Sequence, residues 1–241
     1  MSRALVTGGA SGIGAATVAR LQADGMRVAA VDVDGARLEQ VAADFVAVAD
    51  VTSEQEIRGA VDESATALGG LDVCVACAGV AWRGTVTETA LDEWERIFAV
   101  NVRGVYLTAK AAIPHLRAAG GGALVVVASQ LGLVGAANAA AYCASKGAAV
   151  QLTRAMAIDH AREGIRVNCV CPGPTSTPLL ESYFALAADA EGERVRYEQA
   201  QLHGRLIEPA EIADAIASLV SPRATSTIGA ALVVDGGYSI R

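Results

Sequence analysis

Short runs of apolar residues recur along the chain, and most are followed by a glycine, an aspartate or another turn-forming residue. Between them lie longer stretches in which apolar residues return every three or four positions, the spacing of a helix that buries one face. Short, continuously apolar runs bounded by turns are typical of strands in a parallel sheet covered on both faces. The predicted strands are residues 4–7, 28–31, 45–49, 73–76, 124–128, 166–170 and 231–234.

Helix signals fill the intervals between those strands. Ser53 stands at a helix start with Glu56 at capping-box spacing, and Gly25 stands at a helix stop. The predicted helices cover residues 15–23, 38–43, 53–68, 142–161 and 209–220. Two more helices are split near Asn101, and the second of them covers 104–116. Strands and helices in alternation predict one α/β domain, residues 1–241, with a doubly wound parallel sheet.

The interval 178–205 departs from this alternation. It contains short helix-like pieces without a strand between them. Because long excursions in compact domains are usually functional, we expect this segment to cover a substrate site as a lid.

The 241 residues have a formal net charge of −7, and 53% of them are hydrophobic while 4% are aromatic. The core must therefore be built mainly from Ala, Val, Leu and Gly, which suits close packing of helices on a sheet. Without a stripe of Lys and Arg, neither nucleic acid nor an anionic membrane is expected as a partner. No apolar run approaches the length of about 18 residues that spans a bilayer.

The cysteines are interpreted as small buried side chains, because they stand in apolar strand-like or helix-like contexts. They are Cys74, Cys77, Cys143, Cys169 and Cys171. The C-x-x-C pair at Cys74 and Cys77 has no second pair, and the histidines stand alone, so no metal site is expected. Residues 1–8 lack the apolar stretch of a secretory leader, so a cytoplasmic protein is expected.

The first predicted strand runs into a glycine-rich turn that opens a helix. Gly8, Gly12 and Gly14 would let the backbone approach a phosphate, and the helix N-terminus would offer free N–H groups to a pyrophosphate. The spacing is G-x-x-x-G-x-G rather than G-x-G-x-x-G, and the Gly-Lys-Ser/Thr of a P-loop does not follow. Ordinary turn chemistry is the alternative interpretation of these glycines.

Asp32 ends the second predicted strand, 18 residues after Gly14. An acidic side chain at this position binds the ribose hydroxyls of NAD and repels the 2′-phosphate of NADP. NAD is therefore predicted over NADP, and Arg37 is the nearest cation that a phosphate could use as a ligand. Asp50 ends the third strand and is either an adenine contact or a simple turn residue.

The stretch from Ser129 to Lys146 contains the candidate catalytic groups. Tyr142 and Lys146 are four residues apart in a predicted helix and therefore share one face. A nearby cation lowers the pKa of a phenol from about 10 and makes tyrosine useful as an acid or base. On its own such a pair is more often a surface contact, so the other motifs decide its interpretation.

Taken in order, these motifs resemble those of the short-chain dehydrogenase/reductase family, and the resemblance spans essentially the whole chain. Besides the glycine turn, the matching pieces are Thr7, Asp50-Val51, Asn101-x-x-Gly104, Ser129 with Tyr142-x-x-x-Lys146, Pro172-Gly173 with Thr177, and Asp235-Gly236-Gly237. The resemblance implies a Rossmann-type fold and an NAD(P)-dependent oxidoreductase that acts on CH–OH groups.

The resemblance also implies a role for each candidate catalytic residue. Tyr142 would exchange a proton with the substrate oxygen, Lys146 would lower the Tyr142 pKa and hold the nicotinamide ribose, and Ser129 would hydrogen-bond the substrate oxygen. Asn101 would hold a water that relays the proton through Lys146, although a polar kink in a helix is the alternative. Thr177 would fix the cofactor carboxamide, unless it only caps the next helix.

The residues implied to contact the cofactor lie in the loops that follow the strands. They are Gly8, Ser11, Gly12, Ile13, Gly14, Asp32, Asp50, Val51, Ala78, Gly79, Tyr142, Lys146, Pro172, Gly173, Thr175 and Thr177. The family usually has Asn-Asn-Ala-Gly after the fourth strand, and this chain has Ala76-Cys77-Ala78-Gly79 instead. The missing amides remove hydrogen bonds that tie this strand to its neighbours.

A substrate pocket is expected above the nicotinamide, between Ser129 and the 178–205 segment. Its candidate walls are mostly apolar, which favours a hydrophobic or cyclic alcohol or ketone. They are Trp82, Gln130, Leu131, Val134, Cys143, Leu179, Leu180, Tyr183 and Phe184.

The leading prediction is an NAD-dependent oxidoreductase that interconverts a secondary alcohol and a ketone, with Tyr142 as the acid/base. A 3-oxoacyl-thioester reductase acting on acyl carrier protein is the alternative. Asp32 argues against it by disfavouring the NADPH that such reductases usually take, and the negative net charge gives little attraction for an acidic carrier protein. A non-catalytic binding or regulatory protein on the same fold is the third possibility, which the intact catalytic set argues against. The Ala- and Gly-rich helices at 104–116 and 140–161 favour a homotetramer, or a homodimer, through the pairing that the family commonly uses.

Overall fold

The computed structural model describes residues 2–240, and its strands form one seven-stranded parallel sheet with helices around it. The strands are β1 (Arg3–Thr7), β2 (Arg27–Asp32), β3 (Phe45–Val48), β4 (Val73–Ala76), β5 (Gly122–Val127), β6 (Ile165–Pro172) and β7 (Ala231–Val234). Their order across the sheet is β3-β2-β1-β4-β5-β6-β7. The predicted doubly wound α/β fold is confirmed, with small differences at the strand ends.

The helices of the described chain lie on both faces of the sheet. They are α1 (Gly12–Ala23), α2 (Gly35–Leu38), α3 (Glu54–Leu68), α4 (Leu91–Phe98), α5 (Val105–Ala118), α6 (Ala140–His160), α7 (Pro178–Phe184), α8 (Ala190–Gln199) and α9 (Pro209–Val220). One core contains side chains of α3, α5 and α6, and a second core, across the sheet, contains those of α1 and α9. Burial on both faces explains why the strands are continuously apolar.

The predicted helix start at Ser53 is confirmed, but only half of its capping box forms. The Ser53 hydroxyl accepts a hydrogen bond from the Glu56 N–H at 3.4 Å. The Glu56 carboxylate accepts from the Asp50 N–H at 3.0 Å rather than from Ser53. Glu56 therefore fixes the loop after β3, and the cap itself rests on Ser53.

The prediction of a helix over residues 38–43 is wrong. Asp34 accepts a hydrogen bond from the Arg37 N–H at 3.1 Å, so the short helix α2 begins earlier, at Gly35, and ends at Leu38. The Asp44 carboxylate accepts from the Val28 N–H at 2.8 Å. That contact returns the chain to β2 before a second helical turn forms.

The two helices that the sequence divides near Asn101 are continuous in space. Residues Ala99–Gly104 form a π-helical segment that joins α4 to α5. Segments of this kind widen a helix by one residue per turn and are frequent at functional sites. Here the wider turn points the Asn101 side chain into the protein interior, where it is fully buried.

The 178–205 segment leaves the sheet after β6 and contains α7 and α8. Its ends are joined, because the Ser176 N–H donates to the Ile207 carbonyl at 2.8 Å and the Ile207 N–H donates to the Pro174 carbonyl at 2.9 Å. Tyr183 and Phe184 pack with Leu206 in a small cluster separate from the two main cores.

None of the helices formed by residues 2–240 combines the length and hydropathy required to cross a membrane.

Candidate active site

A cleft of about 360 Å³ lies at the carboxyl ends of the central strands. It spans the point between β1 and β4 where the strand order reverses, which is where doubly wound sheets bind their ligands. All of the residues predicted to contact a cofactor border this cleft. They are Gly8, Ser11, Gly12, Ile13, Gly14, Asp32, Asp50, Val51, Ala78, Gly79, Tyr142, Lys146, Pro172, Gly173, Thr175 and Thr177.

The glycine turn between β1 and α1 has no room for side chains. A Cβ atom on Gly14 would lie 1.9 Å from the Gly8 carbonyl oxygen, and one on Gly8 would lie 2.8 Å from the Ala78 backbone. Gly8 and Gly12 also have positive φ angles of 66° and 51°, which suit glycine. The turn therefore presents bare backbone and a helix N-terminus to the cleft, as binding of a pyrophosphate requires.

Asp32 stands at the end of β2 beside this turn. Its carboxylate accepts hydrogen bonds from the Ala10 N–H at 3.0 Å and from the Asp34 N–H at 3.1 Å. Those contacts fix the side chain at the cleft before any ligand binds. Arg37, the nearest candidate for a phosphate contact, forms an ion pair with Asp34 at 3.2 Å.

The end of β3 also reaches the cleft. The Asp50 carboxylate accepts a hydrogen bond from the Thr52 N–H at 2.8 Å, so it shapes the turn as well as bordering the cleft. A Cβ atom on Gly104 would lie 2.8 Å from a Val51 methyl group. The π-helical segment thus packs directly against Val51, and glycine at 104 permits that approach.

Ser129, Tyr142 and Lys146 converge on one wall of the cleft. Ser129 follows β5, and its hydroxyl accepts a hydrogen bond from the Leu131 N–H at 3.1 Å. Lys146 is buried in α6, and its Nζ donates to the Val127 carbonyl at 2.9 Å. The same Nζ lies 5.7 Å from the centre of the Tyr142 ring.

Burial controls the ionisation of these groups. Burial raises the pKa of Tyr142 to about 12. The hydrogen bond between the Ser129 hydroxyl and the phenol lowers this pKa, but by less than burial raises it. Burial lowers the pKa of Lys146 to about 8. The expected lowering of the Tyr142 pKa by Lys146 is therefore not seen, because the ammonium group is directed to Val127 and the phenol is desolvated.

Asn101 does not border the cleft but lies directly behind it. Its Oδ1 accepts from the Val80 N–H at 2.9 Å, and its Nδ2 donates to the Val80 carbonyl at 2.9 Å and to the Ser145 hydroxyl at 3.0 Å. A Cβ atom on Gly79 would lie 3.4 Å from both Asn101 Oδ1 and Lys146 Nζ. Asn101 therefore connects the chain after β4 to α6 next to Lys146.

The departure at Ala76-Cys77-Ala78-Gly79 is compensated by other residues. The Thr7 hydroxyl oxygen accepts a hydrogen bond from the Cys77 N–H at 3.2 Å, which ties the end of β4 to β1. Asn101 holds the next part of the chain at Val80. The side chains of Thr7 and Asn101 thus hold the backbone after β4, where the family usually has side-chain amides.

Thr177 has the geometry of a helix cap at the rim of the cleft. Its hydroxyl oxygen accepts from the Leu180 N–H at 3.3 Å, at the start of α7, and its hydroxyl donates to the Thr175 carbonyl at 3.2 Å. The capping interpretation of Thr177 is therefore realised, and the residue also borders the cleft.

The candidate substrate residues divide into two groups. Those that border the cleft are Gln130, Leu131, Leu179, Leu180 and Tyr183, and those that do not are Trp82, Val134, Cys143 and Phe184. Phe184 is only 2% exposed and packs edge-on against Tyr197 at 5.3 Å. Tyr197 itself borders the cleft and was missed, because no apolar periodicity in the polar helix α8 distinguishes it.

Comparison with known proteins agrees with this geometry. Residues 8–239 match the family model described as enoyl-(acyl carrier protein) reductase. The chain is 42% identical to the cis-4-hydroxycyclohexanecarboxylate dehydrogenase of Sinomonas cyclohexanicum, over 98% of this chain and 96% of that one. It is 38% identical to the meso-2,3-butanediol dehydrogenase of Serratia marcescens, over 97% and 92% of the two chains.

Among solved structures, the 3-ketoacyl-(acyl-carrier-protein) reductase from Brucella melitensis complexed with NADH aligns with a TM-score of 0.91 at 34% identity, covering 99% of this chain and 98% of that one. Similarity of this extent covers the sheet, the cleft and the 178–205 segment together. The chain belongs to the short-chain dehydrogenase/reductase family and is a nicotinamide-dependent oxidoreductase that acts on CH–OH groups.

Proposed function

We propose that this protein interconverts a secondary alcohol and a ketone, with NAD as its cofactor. The observation that supports the assignment most strongly is the convergence of Ser129, Tyr142 and Lys146 on one wall of the cleft that the glycine turn borders. Alcohol oxidation needs one group to hold the oxygen and another to take its proton. Ser129 and Tyr142 supply those two groups within hydrogen-bonding reach of each other.

The cleft fits a dinucleotide. The bare backbone of the glycine turn would receive the pyrophosphate, Asp32 would bind the adenosine ribose, and Asp50 with Val51 would flank the adenine. The dinucleotide held by these residues would supply the hydride-transfer chemistry, through its nicotinamide, in both directions of the reaction. The Asp32 carboxylate supports NAD over NADP, because it would repel a 2′-phosphate.

In this mechanism Tyr142 exchanges the proton. Its phenolate takes the proton of the alcohol oxygen during oxidation, and its phenol returns one during reduction, while the Ser129 hydroxyl holds that oxygen. Alcohol oxidation therefore accelerates as the pH rises toward the Tyr142 pKa, and ketone reduction slows. Lys146 would hold the nicotinamide ribose, and Asn101 would position the proton exit next to it.

The substrate would lie between Ser129 and the 178–205 segment, which we propose acts as a lid on the single domain of residues 1–241. Leu131, Leu179 and Leu180 make this end of the cleft largely apolar. A cyclic or hydrophobic secondary alcohol suits these walls, and the cyclohexane ring handled by one relative is consistent with it.

Steady-state oxidation of a panel of secondary alcohols, with NAD and with NADP, tests the assignment. We expect turnover with kcat/KM at least about tenfold higher for NAD, a difference of roughly 1.4 kcal/mol. Asp32→Ala should narrow this ratio, whereas Asp24→Ala, which removes an exposed partner of Arg20 outside the cleft, should keep it. Absence of turnover across the panel, or a strong NADP preference, would contradict the proposal.

A 3-oxoacyl-thioester reductase is the second candidate, favoured by the similarity to the Brucella enzyme. The net charge of −7 argues against this second candidate, because an acidic protein attracts an acidic carrier protein weakly. Rates on an acetoacetyl thioester with NADH and NADPH separate the two. Faster turnover of the thioester than of any simple ketone would favour the second candidate.

We further propose a homotetramer, or a homodimer, in the cytoplasm. An apolar groove on α4, the π-helical segment and α5 includes Trp94, Phe98 and Tyr106, and Trp94 and Tyr106 are 38% and 47% exposed. Such a patch is typical of an interface between protein chains. The cysteines are all free thiols, as expected in a reducing compartment.

A further inference from the structure

The hydroxyl group of Ser145 is buried in α6, between the two ionisable residues of the site. Ser145 lies three positions after Tyr142 and directly before Lys146, and it is 0% exposed. A hydroxyl can donate one hydrogen bond and accept others, and burial makes it costly to leave those bonds unmade. The partners of this hydroxyl therefore show what it holds together.

Both partners of Ser145 belong to the candidate active site. Its hydroxyl donates to the Tyr142 carbonyl at 2.8 Å and accepts from Asn101 Nδ2 at 3.0 Å. Because the single hydroxyl proton is used on the Tyr142 carbonyl, the oxygen can only accept from the Asn101 amide. This direction fixes which end of the amide faces α6.

Asn101 continues the contact to the chain after β4. Its Nδ2 also donates to the Val80 carbonyl at 2.9 Å, and its Oδ1 accepts from the Val80 N–H at 2.9 Å. Both amide hydrogens and the amide oxygen are thus used, on a side chain that is itself fully buried. We call this connection the Ser145–Asn101–Val80 bridge.

The two ends of the bridge belong to two parts of the cleft wall. Gly79 and Val80 border the cleft from the chain after β4, and Tyr142 and Lys146 border it from α6. A Cβ atom on Gly79 would lie 3.4 Å from Lys146 Nζ, so the two parts approach each other closely here. Hydrogen bonds buried away from water are strong enough to fix such an approach.

We propose that Ser145 is a positioning residue, which sets the distance between the chain after β4 and Tyr142 through this bridge. The inference rests on the proposed alcohol dehydrogenase function, in which Ala78 and Gly79 contact the cofactor and Tyr142 exchanges the proton of the substrate. Hydride transfer and proton transfer occur at one carbinol group, so the groups that serve them must be held in register. Ser145 does not border the cleft and acts only through Asn101 and Tyr142.

Ser145→Ala removes the hydroxyl and leaves one hydrogen of the Asn101 amide without a partner. We expect kcat for oxidation of a secondary alcohol to fall roughly tenfold or more, while KM changes less than about twofold, because misplacement slows the chemistry without removing a binding contact. The primary deuterium isotope effect on kcat, measured with an alcohol deuterated at the carbinol carbon, should increase.

A second measurement needs neither cofactor nor substrate. In the cofactor-free protein the Val80 N–H is held by Asn101 Oδ1, so its hydrogen exchange reports on the bridge directly. We expect this amide to exchange roughly tenfold faster in Ser145→Ala than in the wild type.

Ser64→Ala is the matched control, because it makes the same change at another fully buried serine. The Ser64 hydroxyl donates to the Ala60 carbonyl at 2.6 Å within α3 and does not border the cleft. This variant should keep the wild-type kcat, isotope effect and Val80 exchange. Ser145→Cys keeps the size of the side chain with only a weak acceptor, so it should fall between the wild type and Ser145→Ala, and it provides the same test if the alanine variant does not fold.

Equal kcat and isotope effects in Ser145→Ala and Ser64→Ala would overturn the inference and leave the alcohol dehydrogenase proposal intact. A lower kcat in Ser145→Ala with unchanged Val80 exchange would also overturn it, because the effect would then not pass through Asn101. A wild-type protein that oxidises no secondary alcohol with either cofactor would contradict the proposed function, and the inference with it.

Discussion

At the scale of single residues, burial acts in opposite directions on the two ionisable groups of α6. It raises the pKa of Tyr142 to about 12 and lowers that of Lys146 to about 8. Both shifts favour the neutral form, because a charge is costly away from water. Near pH 7 the protein alone therefore holds a neutral phenol beside a lysine that is close to losing its charge.

Replacing Tyr142 with phenylalanine removes the proton-exchanging group and keeps the ring. We expect kcat for alcohol oxidation to fall by roughly 10²–10⁴, the usual contribution of a general acid or base. Tyr106→Phe is the control, since its phenol lies 47% exposed away from the cleft and its loss should leave the rate unchanged. Comparable rates for Tyr142→Phe and the wild type would contradict the mechanism.

Lys146 also links stability to pH. Its pKa in the folded protein, about 8, is below the ordinary value of 10.5, so between these pH values only the unfolded chain binds the proton. Stability from this group is therefore fully present above 10.5 and is lost as the pH falls through 8. Relative to Lys146→Met, the wild-type free energy of unfolding should rise by about 3 kcal/mol from pH 7.5 to 10.5.

Chemical denaturation of both proteins across this range measures the difference. The comparison removes the titration of Cys74, whose pKa is raised to about 12 by burial alone, without a contribution from Lys146. A difference that stays constant with pH would show that Lys146 is not desolvated.

Sequence spacing was sufficient to find Ser129, Tyr142, Lys146 and the glycine turn, because their chemistry depends on local order along the chain. It could not identify the Ser145–Asn101–Val80 bridge, which is recognisable only once the surrounding side chains are placed. For the same reason the sequence did not single out Tyr197, which borders the cleft, whereas Phe184 of the same segment packs outside it.

At the scale of elements, an ion pair fastens the 178–205 segment to the loop after β4. Arg83 donates to Glu193 of α8 at 2.6 Å and lies over the Tyr183 ring of α7 at 5.5 Å. Glu193 is only 7% exposed and also pairs with Arg196. Arg83, in the loop after β4, therefore contacts both helices of the segment.

Replacing Glu193 with glutamine leaves both arginines without their carboxylate. Because a hydrogen bond to a charged group contributes about 1.5–3 kcal/mol, we expect amide hydrogens of residues 178–205 to exchange roughly ten- to a hundredfold faster. KM for the alcohol should rise as the segment loosens. Hydrogen exchange followed by mass spectrometry measures the first effect.

Glu181→Gln is the matched control for this prediction. Glu181 pairs with Arg194 on the outer side of the same segment, where the carboxylate side chain is 47% exposed and the pair contributes little. Equal exchange rates in the two variants would show that the Arg83–Glu193 pair does not hold the segment.

Elements with strong end signals were predictable, and elements set by distant contacts were not. Ser53 and Pro209 begin helices where the sequence places them. The short helix α2 and the π-helical segment Ala99–Gly104 depend on Asp44 reaching β2 and on Asn101 reaching Val80. Neither partner is visible from local periodicity.

At the scale of the whole molecule, the alternation of strands and helices fixed the parallel sheet, because crossover connections need helices on its faces. The strand order, with β1 and β4 adjacent, could not be obtained from that pattern alone. It is this order that opens the cleft, since the connections leave β1 and β4 in opposite directions across the sheet.

Assembly is the property of the whole molecule that can be tested most directly. Tyr106→Glu places a charge in the apolar groove with Trp94 and Phe98, and we expect the mass in light scattering to fall below that of the wild-type oligomer. Val48→Glu, at a still more exposed apolar position at the end of β3, should keep the wild-type mass. A wild-type protein that is monomeric at micromolar concentration would contradict the proposed assembly.

The joined ends of the 178–205 segment have an evolutionary consequence. Since Ser176 and Ile207 hold the entry and exit points together, the chain leaves and rejoins the sheet at the same place whatever it does between them. Closing a longer or shorter loop across fixed ends changes the free energy only slowly with its length. Related proteins can therefore differ in the sequence and length of this segment, and so in substrate, while they keep the same sheet and the same catalytic residues.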